Sequence, residues 1–124
     1  MAWMYLMVVN VIILYLLKKR RGEVTPEVIE ENKKKNVLFL TAHPDDEAMF
    51  FTPTIKGLHD LGYKLYILCL STGNGDGLGK VREKELEVAA KGLGFTGWKT
   101  IDDEKLQDGK NKEWKTEDII RHLE

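Results

Sequence analysis

Residues 43–47 read His-Pro-Asp-Asp-Glu and directly follow an apolar run that predicts a strand. An imidazole and adjacent carboxylates on one rigid turn can supply two metal ligands and a neighbouring base. Pro44 disfavours the helical region for His43, so we expect the histidine to stay extended while the chain turns. We predict that His43 and Asp46 bind one zinc ion and that Asp45 acts as the general base.

The acidic residues of this turn also fit a structural role. Aspartate and glutamate at the start of a helix are favoured by the positive end of the helix dipole. We interpret Glu47 as a residue that either supports the metal ligands or caps the following helix.

Strand and helix patterns alternate after the turn, and this alternation predicts an α/β fold with a parallel sheet and right-handed crossovers. In such a sheet the functional crevice lies beyond the carboxyl ends of the strands, where His43 falls. The predicted elements are strands at 37–41, 63–71 and 98–101 and helices at 52–61, at 80–93 and from Thr116 to the C-terminus.

Local signals place the helix ends. Thr52 followed by Pro53 predicts an N-cap with proline at the first helical position, and Gly62 predicts the end of that helix. A short turn is then expected between the acidic motif and the helix. Trp98 and Trp114 are isolated in the sequence, and we predict that both are packing residues.

The first part of the chain differs in composition from the rest. Residues 1–17 carry no charge and would form a helix of about 25 Å, close to the thickness of a thin bilayer of about 27 Å. We predict a single-pass transmembrane anchor at 1–17, a basic and polar linker at 18–36 with a short helix at 27–32, and the folded domain at 37–124. By the positive-inside rule the basic linker keeps that domain in the cytosol. A cleaved signal peptide and a buried helix remain open alternatives for 1–17.

Composition excludes some classes of protein. The 124 residues have a formal net charge of -1 and 43% hydrophobic content, which is typical of a globular domain without a nucleic-acid groove. The single cysteine, Cys69, rules out an internal disulfide framework. Because Cys69 lies in an apolar strand pattern, we expect it to be buried.

The glycine-rich segment 73–79 invites a nucleotide-binding interpretation, but its spacing does not match a P-loop. The glycines either let the backbone approach a sugar or phosphate or serve turn geometry alone. We place Asn74 and Gly75 among the candidate substrate-binding residues. Arg82 joins them as a residue that pairs with a substrate phosphate or supports Asp45, the alternative being a solvated surface arginine.

The turn and the glycine-rich segment together resemble a known family. The stretches that carry the resemblance are Ala42 to Phe51, Ser71 to Lys80 and Arg82 to Leu86. They are similar to the signature of the LmbE-like zinc-dependent de-N-acetylases, and most similar to the eukaryotic N-acetylglucosaminyl-phosphatidylinositol (GlcNAc-PI) de-N-acetylases of GPI-anchor biosynthesis. The resemblance implies a Rossmann-like fold, zinc bound by His43 and Asp46, and Asp45 as base. It also implies an endoplasmic reticulum membrane location and hydrolysis of the acetamide of GlcNAc-PI to GlcN-phosphatidylinositol and acetate.

One part of the family pattern has no counterpart. The family takes its third zinc ligand and a further histidine from a later His-X-X-His motif, and the sequence contains none. We interpret His59 and His122 as surface residues of helices, since neither lies at a strand end. The sequence therefore predicts the N-terminal part of a de-N-acetylase domain, truncated at Glu124. A catalytically inactive, membrane-anchored binding module of the same fold is the alternative.

Overall fold

The computed structural model describes residues 24–124 together with Ile12, Tyr15 and Leu16. The predicted anchor at 1–17 and the start of the predicted linker otherwise lie outside the described residues. In the part of the chain that is described, no helix is long and apolar enough to cross a membrane. The elements are α1 (Pro26–Asn32), β1 (Asn36–Thr41), α2 (Asp46–Phe50), α3 (Thr52–Asp60), β2 (Lys64–Cys69), α4 (Gly79–Gly92), β3 (Gly97–Thr100) and α5 (Thr116–Ile120), with 3₁₀ turns at Asn74–Asp76 and Glu104–Leu106.

The three strands form one parallel sheet in the order β1-β2-β3. Thr41 at the end of β1 pairs with Cys69, and Cys69 pairs with Thr100 at the end of β3. Because the carboxyl ends of the strands are in register, the loops that follow them meet at one edge of the sheet. The predicted α/β fold with a parallel sheet and flanking helices is confirmed.

One face of the sheet is covered by α3 and α4. Period-two alternation sends Leu65, Ile67 and Cys69 of β2 to this face, where they pack with Phe39 and with side chains of both helices. The buried residues of this cluster are Phe39, Ile55, Leu65, Ile67, Cys69, Leu86, Ala90 and Phe95. Cys69 is fully buried, as predicted.

The opposite face of the sheet carries a smaller apolar cluster. Leu68 and Leu70 pack there with Ile101 and Leu106, and Trp114 and Ile119 lie against them. The chain beyond β3 therefore folds back over this face of β2, whereas α3 and α4 cover the other face. This return brings the residues after β3 close to the end of β1, where Asp108 meets His43.

Two predictions about the start of α3, the turn before it and its N-cap, were wrong. The acidic motif itself begins a helix, α2, where a short turn was expected, and α3 follows after Phe51. Thr52 belongs to the first turn of α3, and its hydroxyl donates to the carbonyl of Ala48 at 2.7 Å in place of capping α3. The hydroxyl thus joins the two helices and fixes α2 against the longer one. Gly62 ends the segment as predicted, with φ +87°.

Candidate active site

The turn after β1 holds Asp45 in a strained backbone conformation. Its φ of 114° is the one positive φ of a non-glycine residue among those the structure describes. A non-glycine residue persists in such a region only where its surroundings enforce it, and this is common at functional sites. Here Glu47 supplies part of the restraint, because its buried carboxylate accepts the N–H of Asp45 at 3.0 Å.

His43 and Asp46, the two predicted metal ligands, are brought together by the same turn. Asp46 Oδ2 accepts the backbone N–H groups of Ala42 and His43, both at 2.9 Å. These two hydrogen bonds lock the carboxylate against the end of β1. The same oxygen lies 4.0 Å from His43 Nδ1, so an imidazole nitrogen and a carboxylate face each other at the mouth of the turn.

Asp108 is a member of the site that the sequence analysis missed. Its Oδ1 lies 3.2 Å from His43 Nε2, and its Oδ2 accepts the N–H of Gly75 at 3.2 Å. The residue belongs to the loop after β3, whose carboxyl end lies at the same edge of the sheet as that of β1. The signal that could have found it is an acidic residue beyond the third strand, where the sheet topology places functional loops.

Arg82 connects the two loops. Its guanidinium donates to the carbonyls of Gly73 at 2.8 Å and Pro44 at 2.9 Å, and it reaches Asp45 Oδ2 at 3.1 Å. It also lies 3.7 Å from Asp108 Oδ2. These contacts fit support of Asp45 better than a solvated surface arginine, and pairing of Arg82 with a substrate phosphate stays a prediction.

The candidate substrate-binding residues of the glycine-rich loop are engaged in holding that loop. Asn74 Oδ1 accepts the N–H of Gly79 at 2.9 Å, at the first turn of α4. A side chain at Gly75 would press on Asp108, because a Cβ there would lie 2.9 Å from its Oδ2. Turn geometry and close approach therefore account for the contacts seen, and the predicted substrate contacts of both residues stay predictions.

Trp114 also reaches the site, which corrects its interpretation as a packing residue alone. Its ring lies 5.8 Å from that of His43, tilted by 49°, while Nε1 donates to the carbonyl of Gln107 at 3.0 Å. The indole thus forms one wall beside the imidazole. Its isolation in the sequence gave no hint of this, since only the return of the chain over the sheet creates the contact.

The two other histidines lie elsewhere. His59 is exposed on α3, as predicted, and His122 follows α5 with its Nε2 2.8 Å from Asp103 Oδ2. Neither is brought to His43 or Asp46 by any contact in the described part of the chain.

The donors of the site fit part of a zinc shell. A catalytic zinc takes three protein ligands and leaves one position open. His43 and Asp46 would provide two, and no group of three such side chains that could hold a metal converges within the described residues. Asp108 sits on the other nitrogen of His43, an arrangement by which carboxylates orient metal-binding histidines.

Burial and charge affect the thiol below the site. Desolvation raises the pKa of Cys69, and the carboxylates of Asp46 and Glu47 act in the same direction. The raised pKa keeps the sulfur a neutral thiol, which donates to the carbonyl of Ser71 at 3.2 Å. Cys69 is therefore a packing residue beneath the site and not a nucleophile.

Comparison with known proteins decides the family. The model of the family PIG-L, GlcNAc-PI de-N-acetylase, matches residues 38–124, which include the turn, the glycine-rich loop and Asp108. The chain belongs to this family. Members of the PIG-L family are thus the relatives against which its site can be compared.

Curated relatives carry the same name. A probable N-acetylglucosaminyl-phosphatidylinositol de-N-acetylase of Schizosaccharomyces pombe is 47% identical over 92 residues, covering 72% of this chain and 37% of the relative. One of Dictyostelium discoideum is 48% identical over 86 residues, covering 68% of this chain and 33% of the relative. The Bos taurus enzyme is 53% identical over 58 residues, which are 47% of this chain and 23% of that enzyme. The chain therefore spans about a third of the length of the first two relatives.

Solved structures share the fold. The N,N'-diacetylchitobiose deacetylase of Pyrococcus horikoshii superposes with a TM-score of 0.50 at 29% identity, over 73% of this chain and 40% of that one. The 4-carboxy-2-hydroxymuconate hydratase of Pseudomonas putida superposes with a TM-score of 0.51 at 22% identity, over 62% of this chain and 38% of that one. The second likeness concerns the fold alone.

Proposed function

We propose that the chain supplies the N-terminal part of a PIG-L deacetylase site that hydrolyses the acetamide of GlcNAc-phosphatidylinositol, giving GlcN-phosphatidylinositol and acetate. The family and the names of the curated relatives support this substrate. The observation that carries the proposal is the strained turn, which presents Asp45 beside His43 and Asp46 under the restraint of Glu47 and Arg82.

Each residue has a role in this scheme. Asp45 takes a proton from the attacking water, whose oxygen forms the new bond to the acetyl carbonyl carbon. The bond from that carbon to the sugar nitrogen then breaks as the proton held by Asp45 passes to the nitrogen, so that the sugar leaves as an amine and the acetyl group as acetate. Arg82 holds Asp45 in place, and Glu47 fixes its backbone.

His43 and Asp46 would hold zinc, with a third ligand from outside the described residues. Bound zinc lowers the pKa of a coordinated water and polarises a carbonyl. The membrane anchor at 1–17, the linker at 18–36 and an endoplasmic reticulum location facing the cytosol belong to the same proposal. They rest on the uncharged N-terminal stretch and the basic residues that follow it.

A chimera with a longer relative tests the proposed function. Residues 38–124 replace the aligned segment of the S. pombe relative, and acetate release from GlcNAc-phosphatidylinositol is measured. We expect an active chimera that loses about 10²- to 10⁴-fold in rate with Asp45→Asn. The control is Asp60→Asn, an exposed carboxylate at the end of α3, and it should leave the rate unchanged.

Two outcomes oppose the proposal. A folded chimera without acetate release, or an Asp45→Asn chimera with full activity, shows that these residues do not perform the reaction. The 124-residue chain is assayed beside it for zinc binding. Because it offers two ligands in place of three, we expect weaker zinc binding than in the chimera and no acetate release.

A further inference from the structure

Four large apolar side chains stand in solvent around the candidate site. Met49 is 68% exposed, Phe50 65%, Leu78 53% and Val81 55%. Scattered exposed apolar residues are normal on a protein surface, but a group of them beside a site marks a contact surface. We call these four residues the apolar rim.

Two members of the apolar rim lie on α2. The N–H of Met49 donates to the carbonyl of Asp45 at 2.9 Å, which puts Met49 one helical turn from the proposed base. Phe50 follows Asp46 by one turn of the same helix. The next residue, Phe51, turns inward and packs on Phe39. Ala48 is exposed as well, so the exposed side of α2 runs from Ala48 to Phe50 and includes the part that adjoins the site.

The other two members lie at the start of α4. The carbonyl of Leu78 accepts the N–H of Arg82 at 2.9 Å, so Leu78 lies one turn from the residue that holds Asp45. Val81 precedes Arg82 directly. The apolar rim therefore borders the site on α2 and α4, two of the elements that carry its charged residues.

Lysines border the apolar rim on α4. The side chains of Lys80 and Lys84 are 86% and 70% exposed. At about 100° per residue, Lys84 lies about 60° around the helix from Val81, whereas its partner Glu87 lies about 120° away. Glu85, on the other side of Val81, is the acidic neighbour. Lys80 and Lys84 pair with Glu83 at 3.6 Å and with Glu87 at 2.6 Å, but ion pairs between such exposed side chains are weak, so either lysine can exchange its partner for a lipid phosphate. Exposed lysines beside apolar side chains are part of the pattern of a helix at a phospholipid surface.

We propose that the apolar rim is a bilayer-docking surface. Met49, Phe50, Leu78 and Val81 enter the boundary between headgroups and acyl chains, and Lys80 and Lys84 contact the anionic phosphates of phosphatidylinositol. The choice of this lipid rests on the proposed function. A headgroup tethered to its acyl chains reaches only a short distance from the bilayer, so a site that acts on it must be held at the bilayer surface.

The experiment measures depth, because residues 1–17 would themselves bind vesicles if they form the predicted anchor. Single cysteines are introduced as Phe50→Cys and Leu78→Cys in a Cys69→Ala background of the full chain, and an environment-sensitive fluorophore is attached. The protein is reconstituted with vesicles of phosphatidylcholine and phosphatidylinositol. We expect a blue shift of both labels, strong quenching by lipids brominated near the headgroup and protection from aqueous iodide.

The control label is Ile120→Cys. Ile120 is 46% exposed but lies on α5, across the sheet from α3 and α4. We expect this label to be quenched by iodide and not by brominated lipid. Circular dichroism verifies that each labelled protein is folded, and Met49→Cys and Val81→Cys provide independent positions if one variant is not.

Two results overturn the proposal. Rim labels that iodide quenches as strongly as the Ile120 label show a surface left in water. The second result is that neither iodide nor brominated lipid quenches the rim labels, and that the protection from iodide is the same in detergent as in vesicles. It would show that protein covers the surface, either residues 1–17 or a second copy of the chain. Label depth in the full chain is measured independently of acetate release by the chimera. An inactive chimera together with deeply placed labels in the full chain would overturn the proposed function and leave the docking surface standing.

Discussion

Asp108 Oδ1 lies 3.2 Å from His43 Nε2, although the two residues come from loops after different strands. The contact ties the imidazole of the turn to the chain that follows β3. Asp108 also receives the N–H of Gly75 and lies near Arg82, so one carboxylate joins three segments of the site.

The substitution Asp108→Ala tests this junction. We expect it to lower the free energy of unfolding by about 1–3 kcal/mol, because partners in a partly buried network lose their acceptor. Urea unfolding provides the measurement. Asp60→Ala, which removes an exposed carboxylate, is the matched control and should change the stability by less than about 0.5 kcal/mol. Equal effects of the two substitutions would show that the contacts of Asp108 do not contribute to the free energy of unfolding.

Arg82→Lys tests whether the geometry of the guanidinium matters. One ammonium cannot reproduce donation to Gly73, Pro44 and Asp45 together, so we expect a loss of about 1–3 kcal/mol in unfolding free energy despite the conserved charge. Lys84→Gln is the control. It removes an exposed ion pair with Glu87, and such pairs contribute about 0–1 kcal/mol. A lysine variant as stable as the parent would refute the bridging role.

A pair of glycine substitutions should act in opposite directions. Gly73 has φ +66°, and a Cβ there would lie against the Arg82 guanidinium, so Gly73→Ala should destabilise the protein by about 1–3 kcal/mol. Gly57 lies inside α3, where a Cβ meets nothing within 4 Å, so Gly57→Ala should stabilise it by about 0.5–1 kcal/mol. Thermal unfolding of both variants is the measurement. A Gly73→Ala variant at least as stable as the parent would mean that the loop tolerates the side chain, and a destabilised Gly57→Ala variant would contradict the prediction for α3.

The thiol of Cys69 should react slowly in the folded protein. Burial raises its pKa, so at pH 7–8 the thiolate that attacks a disulfide reagent is scarce as well as shielded. We expect labelling by an aromatic disulfide reagent to be slow in buffer and fast in urea. Raising the pH should increase the native rate over a range above the ordinary thiol pKa. Native labelling as fast as that of the unfolded chain would contradict the packing role.

Short-range patterns in the sequence were sufficient to predict the α/β fold. Alternation along 65–70 and the glycine that ends α3 act through neighbouring residues, so the parallel sheet and its helices could be predicted to within a few residues. The pairing of His43 with Asp46 is also local, since one turn carries both side chains and the backbone groups that hold Asp46.

Tertiary structure decided the rest of the site. Asp108 and Trp114 meet His43 only because Leu68 and Leu70 bury their side chains against Ile101 and Leu106, and this packing folds the chain beyond β3 over the sheet. Arg82 likewise reaches Asp45 only once α4 has packed on the opposite face. Local propensity sets which elements form, whereas burial of both sheet faces sets which distant side chains become neighbours. For that reason the predicted metal ligands of the turn could be identified from the sequence, whereas the residues around them could not.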